Sequence, residues 1–137
     1  EEALSKGVRI LLVEDNQINQ MVALGVIGQK GLRADVAGNG IEALHSLKHA
    51  RKEDAYTLVL MDCQMPEMDG YEATQAIRRG EAGEENINIP IIAMTANAMT
   101  GDREKCLAVG MSDYLSKPII ANQIFSMLEK WIKASKG

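Results

Sequence analysis

Three acidic residues and a lysine stand where short apolar runs stop. Val8–Val13 leads into Glu14-Asp15, Leu58–Met61 into Asp62, Ile89–Met94 into Thr95, and Ser112–Ser116 into Lys117-Pro118. If these runs are parallel strands, all of these groups reach one rim of the sheet, outside the strands' carboxyl ends, where open α/β sheets place their sites. Three carboxylates there repel one another by about 4 kcal/mol per pair at about 4 Å and an effective dielectric of about 20, so the cluster needs a cation. An all-oxygen donor set built on few carboxylates suits Mg2+, a hard ion that keeps several waters and bridges protein to phosphate oxygens, with Mn2+ as a substitute. Lys117 adds a point charge and Thr95 a hydroxyl donor, so the rim offers metal, cation and hydrogen-bond donor to a phosphoryl group in transfer. Carboxylates form acyl phosphates, and Asp62, alone at the end of its run, is better placed as that nucleophile than the adjacent pair Glu14-Asp15.

The elements that must hold these groups follow from hydrophobic spacing. Val8–Val13, Leu58–Met61 and Ile89–Met94 are nearly continuous apolar runs, as expected of strands covered on both faces. Ala34–Ala37 and Ser112–Ser116 are more polar and belong nearer the sheet edges. The intervals are too long for hairpins and carry helical spacing, so the chain reads as one α/β unit of type (βα)5 with a parallel five-stranded sheet.

The spacing predicts a first helix capped by Asn16 and running to about Gln29, with Ile18, Val22 and Gly25 inward and Gly31 as its stop. Gly38-Asn39-Gly40 reads as a turn before a helix over about 41–53 in which Ile41, Leu44 and Leu47 share a face. Asp69 caps a third helix, with Gly80 or Gly83 in the loop beyond it, and a fourth covers about 99–109 with the mixed face Met99, Arg103, Cys106 and Leu107. The last helix places Ile124, Leu128, Trp131 and Ile132 on one side.

A chain of 137 residues with 46% hydrophobic and 25% charged residues can close its own core. The formal net charge of −4 argues against a nucleic-acid-coating or membrane-surface protein. Cys63 and Cys106 have no Cys/His cluster around them, which gives little support to a disulfide framework or zinc site and fits a reducing, cytoplasmic setting. No apolar run approaches the ~20 residues of a bilayer span, and there is no signal-peptide pattern. A start at Glu1 and a polar end at Lys133–Gly137 read as a piece of a longer or processed chain, divided into a linker over 1–7, one domain over 8–134 and a tail over 135–137.

The segments VEDNQINQ (13–20), MDCQMPEMDGYEA (61–73), AMTANA (93–98) and DYLSKPI (113–119) resemble, in order and over nearly the whole chain, the response-regulator receiver domain of two-component signalling. The resemblance implies a doubly wound, flavodoxin-like sheet of order 2-1-3-4-5 with helices on both faces. It implies that Glu14 and Asp15 bind Mg2+, and that Asp62 accepts a phosphoryl group from a phosphohistidine and shares the metal with the backbone carbonyl of Gln64. Thr95 and Lys117 would hold the phosphoryl oxygens, Thr95 and Tyr114 would be the switch pair, Gln64 and Asn97 would tune dephosphorylation, and a cis peptide would precede Pro118. Glu at position 14, where Asp is commoner, leaves metal binding intact with a longer arm.

VEDNQINQ together with SKPI, and the absence of a following KPF…ELxAR pattern, resembles receivers fused to hybrid histidine kinases more than those of DNA-binding regulators. The implied partners are a histidine kinase core, a histidine phosphotransfer domain, or both. Direct nucleic-acid contact and membrane insertion are not expected of this domain, which would lie in the cytoplasm or form the cytoplasmic part of a membrane-bound sensor kinase.

Other readings use the same residues. A stand-alone or DNA-binding regulator remains the nearest alternative. A haloacid dehalogenase-type phosphatase needs a general acid two residues after the nucleophile, and Gln64 cannot serve. A flavodoxin-like cofactor binder needs a phosphate loop after the first strand, and a degenerate scaffold would lack site residues that this chain has. Smaller features have plain readings. His45 and His49, four apart with no third ligand, read as surface histidines, and Gly38-Asn39-Gly40 lacks the third glycine of a dinucleotide fingerprint. Cys63 reads as a small neighbour of the site with modest room for redox sensitivity, and Met65 and Met68, flanking Pro66, as part of a docking surface if exposed. On the first helix, Ile18, Met21 and Val22 are the docking candidates for a histidine partner.

Overall fold

The computed structural model describes residues 8–50, 55–63, 68–95, 103–116 and 120–136. Five parallel strands, β1 (Arg9–Val13), β2 (Arg33–Ala37), β3 (Leu58–Asp62), β4 (Ile91–Thr95) and β5 (Asp113–Ser116), form one sheet in the order β2-β1-β3-β4-β5. The expected architecture is therefore the observed one, with the two polar strands at the edges. The helices are α1 (Gln17–Gln29), α2 (Gly40–His49), α3 (Gly70–Arg78), α4 (Arg103–Ala108) and α5 (Ala121–Lys136), and a short 3-10 turn, Glu84–Asn86, precedes β4.

Successive strand side chains point to opposite faces, and both faces of the three central strands are apolar, so the sheet packs two separate cores. Ile10, Leu12, Leu58, Leu60, Ile92, Met94 and Leu115 meet Ala23 and Ile27 of α1 and Ile124, Leu128 and Ile132 of α5. Leu11, Val13, Val59, Met61, Ile91 and Ala93 meet α2, α3 and α4 through Ala43, Leu47, Ala73, Ile77 and Cys106. This double coverage leaves the strand ends as the open edge of the layer.

Local signals explain where the helices begin. Asn16 accepts the Asn19 N–H at 3.0 Å and Asn39 accepts the Glu42 N–H at 2.9 Å. The Asp69 carboxylate accepts the Glu72 N–H at 2.9 Å and the Glu72 carboxylate accepts the Asp69 N–H at 3.1 Å in a full capping box. Gly31 follows α1 with φ +71°, the left-handed stop that glycine permits.

Three helix details differ from expectation. In α1 the sheet side is Ala23 and Ile27, with Leu24 and Val26 half-buried, while Ile18, Val22 and Gly25 face solvent. Apolar residues surround this helix, so two stripes had valid spacing and the smaller one packs. In α2, Ala43 and Leu47 are buried and Ile41 is exposed. That helix stops at His49 rather than about 53, because Ala50 adopts extended backbone. In α4 the described helix starts at Arg103, Cys106 is the buried contact and Leu107 faces outward, and Met99 lies outside the described residues.

Polar clasps tie the sheet edges. The Arg9 guanidinium and the Tyr56 hydroxyl both donate to Asp35 Oδ2, at 2.6 and 2.8 Å, fastening β2 to β1 and to the approach to β3. Arg78 donates to the carbonyls of Ile87, Ile89 and Gly110, locking α3 to the segments that enter β4 and β5. At the other edge Asp113 accepts from Lys130 Nζ and Trp131 Nε1, each at 3.0 Å, and from the Tyr114 N–H at 3.0 Å, stapling α5 to β5.

Burial raises the Asp113 carboxyl, but these donors outweigh it and hold the group below its ordinary 3.8. A carboxylate stabilised this way supports the fold at neutral pH and loses that support as pH falls below 3.8 through its lower folded value. Asp113→Asn is expected to cost about 1–2 kcal/mol at pH 7. Thermal unfolding across pH should show the gap from the unchanged protein narrowing at the acid end of that window, and a gap constant with pH would refute this role.

Candidate functional site

Register alone brings the acids together. Val13 pairs with Met61 across β1 and β3, so Glu14 follows beside Asp62, and Asp62 itself pairs with Met94, the neighbour of Thr95. Carboxylate oxygens of Glu14, Asp15 and Asp62 all lie within 4.8 Å of one another. Glu14 is 1% and Asp62 2% exposed, whereas Asp15 faces solvent. Two carboxylates in the floor and one at the lip make a hard, all-oxygen donor set open on one side, which fits a divalent cation that retains water.

The loop after β1 is held in shape by its own polar groups. The Glu14 N–H donates to the Ala37 carbonyl at 3.0 Å, the Asn16 N–H donates to Glu14 Oε2 at 3.1 Å, and Gln20 Nε2 donates to the Glu14 carbonyl at 2.6 Å. Asn16 thus caps α1 and aims Glu14 in one arrangement. Gln20 was not among the residues singled out from sequence. Its only signal is its position one turn beyond Asn16, facing back over the loop.

Behind Asp62 the backbone is packed tightly. The Cys63 N–H donates to the Met94 carbonyl at 3.1 Å, and the Gly70 N–H donates to the Cys63 carbonyl at 3.2 Å. A Cβ on Gly70 would clash with the carbonyl oxygen of Asp62 and lie 3.0 Å from Cys63 Cα. Gly40 is packed in the same way against Met68, whose carbonyl accepts its N–H at 3.2 Å. Met68 is half-buried against the core, so it does not supply the exposed docking surface expected of it. Neither glycine was singled out for this contact, although each occupies an early helical position where glycine is an unfavourable choice unless something lies close.

Thr95 ends β4 buried, with 3% exposure. It shares a sheet face with Ala93, and Tyr114, paired with Ala93, packs half-buried against that same core. α4 covers this face through two contacts to the site's own loop and helix. Cys106 Sγ lies 3.9 Å from Cys63 Sγ, and Lys105 Nζ sits 4.2 Å above the Tyr71 ring of α3. Both cysteines are buried and no disulfide joins them. Burial first, and Cys106 second, push the Cys63 thiol up to about 12, which disfavours the reactive thiolate.

The described structure thus brings together Glu14, Asp15 and Asp62 at the ends of β1 and β3, and places Thr95 and Tyr114 on one face of β4 and β5. Gln64, Asn97, Lys117 and Pro118 lie outside the described residues, as do Met65 and Pro66. His45 and His49 are both exposed on α2, as expected.

Comparisons with known proteins agree with this geometry. The profile of the response regulator receiver domain matches residues 10–129. Hybrid signal transduction histidine kinase B of Dictyostelium discoideum is 44% identical over 130 residues, which cover 89% of this chain and 6% of that kinase. Histidine kinase 1 of Arabidopsis thaliana is 39% identical over a match covering 95% of this chain and 13% of its own length. The chain therefore spans only a small part of these curated relatives.

Among solved structures, the receiver domain of a Pseudomonas aeruginosa sensor histidine kinase, with a magnesium ion coordinated in its active-site cleft, is 45% identical. It superposes with a TM-score of 0.81, covering 93% of this chain and 98% of its own. The receiver domain of Ssk1 from Saccharomyces cerevisiae, solved with the histidine phosphotransfer protein Ypd1, is 30% identical with a TM-score of 0.78 and covers 90% of this chain and 88% of its own. With strand order, acid placement and sequence in agreement, the chain belongs to the response regulator receiver domain family.

Proposed function

We propose that this domain accepts a phosphoryl group from a phosphohistidine onto Asp62 and holds it as an acyl phosphate within a phosphorelay. The observation that carries this reading is the convergence of Glu14, Asp15 and Asp62 within 4.8 Å at the carboxyl ends of two adjacent strands. Asp62 is the one member standing alone on a central strand, and the backbone of Cys63 directly after it is tied to β4 through Met94 and to α3 through Gly70.

Asp62 Oδ attacks phosphorus in line as the imidazole nitrogen of the donor departs. Glu14, Asp15, Asp62 and the backbone carbonyl of Gln64 would hold Mg2+, with Mn2+ as a substitute. The bound ion supplies Lewis-acid neutralisation of the phosphoryl oxygens. Lys117 and Thr95 take the remaining phosphoryl oxygens, and Gln64 and Asn97 set how readily water reaches the acyl phosphate. Thr95 moving toward the new charge frees space on the face it shares with Tyr114, so β5 and its neighbouring helices α4 and α5 carry the signal outward. The domain turns over no substrate beyond its own phosphorylation and slow dephosphorylation.

The relatives point to a hybrid-kinase origin, with the domain relaying between a kinase's phosphohistidine and a histidine phosphotransfer partner. No helix among the described residues is long and apolar enough to cross a membrane. In this reading the receiver lies on the cytoplasmic side, with the kinase core that phosphorylates it. The docking face is α1, where Ile18 is 71%, Met21 72% and Val22 46% exposed, next to the acid loop.

Two experiments follow from this reading. Saturating Mg2+ is expected to stabilise the protein by about 2–3 kcal/mol in thermal unfolding, through relief of carboxylate repulsion and linkage. Asp15→Asn should at least halve that increment, and an unchanged melting temperature in unmodified protein would remove the site. Ile18→Asp, which puts a charge on the apolar docking face, should slow transfer with a phosphorylated histidine phosphotransfer domain by about tenfold. Its Mg2+ increment should stay intact, and an unaltered transfer rate would exclude α1 as the docking face.

A further inference from the structure

His45 and His49 lie one turn apart on α2, both solvent-exposed, with ring centroids 4.3 Å apart and planes tilted by 45°. Residues at i and i+4 share a helix face, so a single ion above that face can reach a nitrogen of each ring. A metal–nitrogen bond of about 2.0–2.1 Å, with roughly 1.1 Å more to the ring centre, puts two rings bound at a right angle about 4.5 Å apart, centre to centre. The rings already stand close to that separation, so capture requires reorientation of exposed side chains and no movement of backbone.

Two further features favour a cation here. His49 is the last helical residue, and the carbonyl end of α2 carries the negative pole of the helix dipole. The nearest acid on the helix, Glu42, is engaged by the Gly38 N–H at 2.7 Å and helps fix the start of α2, so it does not compete for the imidazoles. Lys48, between the histidines in sequence, opposes binding and keeps the site moderate in affinity.

We infer that His45 and His49 form a two-imidazole surface site for a borderline divalent transition ion of the Ni2+ or Cu2+ class, whose octahedral or tetragonal geometry sets neighbouring ligands at right angles, with water completing the coordination. This site is distinct from the carboxylate cluster in chemistry as well as place. Imidazole nitrogen suits borderline ions, whereas the all-oxygen set of Glu14, Asp15 and Asp62 suits hard ones. An ion bridging i and i+4 also clips the last turn of α2, so binding and helix stability are linked.

The test is calorimetric titration with NiCl2 under saturating Mg2+, which occupies the carboxylate cluster. One equivalent of Ni2+ is expected to bind, with affinity reduced at least about tenfold in His45→Gln and in His49→Gln alike. Cu2+ should bind more tightly than Ni2+. Both variants alter exposed residues, and circular dichroism confirms their fold before titration. Equal binding by the unchanged protein and either variant would overturn the site. So would Ni2+ binding seen only in a parallel titration without Mg2+, which would assign the ion to the carboxylates, and so would no heat of binding up to millimolar Ni2+.

Discussion

Asp62→Asn is expected to reduce acid-labile phosphoryl labelling from a phosphohistidine donor to background while leaving a cooperatively folding domain. The amide replaces the nucleophilic oxygen with a group that forms no acyl phosphate, so the loss is complete rather than graded. The fold survives because Asp62 is the last residue of β3 and the strand's packing is carried by Leu58–Met61, all fully buried. Removing one of three crowded charges also relieves repulsion with Glu14 and Asp15, so without Mg2+ the variant should melt no lower than the unchanged protein. Its Mg2+ increment should shrink at the same time. Full labelling of the variant would move the acceptor to another residue and dismantle the proposed chemistry.

Gly70→Ala is expected to be among the most damaging single-methyl changes to this fold. The added Cβ would overlap the Asp62 carbonyl oxygen and crowd the Cys63 backbone, and no flexible side chain stands between them to give way. Either α3 shifts off the sheet or the end of β3 is displaced, at a cost of about 3 kcal/mol and a melting temperature lower by about 10 °C. Because the displaced backbone carries Asp62, labelling should fall even at temperatures where the protein remains folded. Gly25→Ala supplies the contrast. That glycine lies within α1 with nothing inside 4 Å of an added methyl, so the substitution should stabilise by about 0.5–1 kcal/mol. Similar melting temperatures for the two variants would show that Gly70 does not support the acceptor strand as described.

The strands were legible because three of them are apolar on both faces, a composition that only a covered parallel sheet accommodates. The convergence of Glu14, Asp15 and Asp62 followed from topology: once the strands are parallel, their polar ends share a rim. Helix faces were less legible. α1 carries Ile18, Met21 and Val22 as well as Ala23 and Ile27, and spacing cannot tell an apolar stripe that packs on the sheet from one left for a partner. In α2 the buried stripe is Ala43 and Leu47 with Leu44 packed beside them, so Leu44 and Leu47 face inward as their spacing implies and only Ile41, at the edge of that face, is exposed.

Contacts between distant segments left no mark in the sequence. The thiols of Cys63 and Cys106 meet at 3.9 Å across 43 positions, and Arg78 reaches carbonyls on two separate loops. The parts assigned to Gln64, Asn97 and Pro118 rest on motif resemblance and that of Lys117 on resemblance and its place after an apolar run, whereas those of Glu14, Asp15 and Asp62 rest on motif and geometry together.

Borohydride reduction of the domain after reaction with a phosphohistidine donor, followed by peptide mass mapping, identifies the residue that carries the phosphoryl group. Reduction of an aspartyl phosphate leaves a homoserine at the position that carried it. Homoserine is expected at position 62 alone, formed with Mg2+ present and lost when the ion is chelated. Homoserine at another position, or the same yield at position 62 in the absence of any divalent ion, would rule out metal-assisted transfer to Asp62.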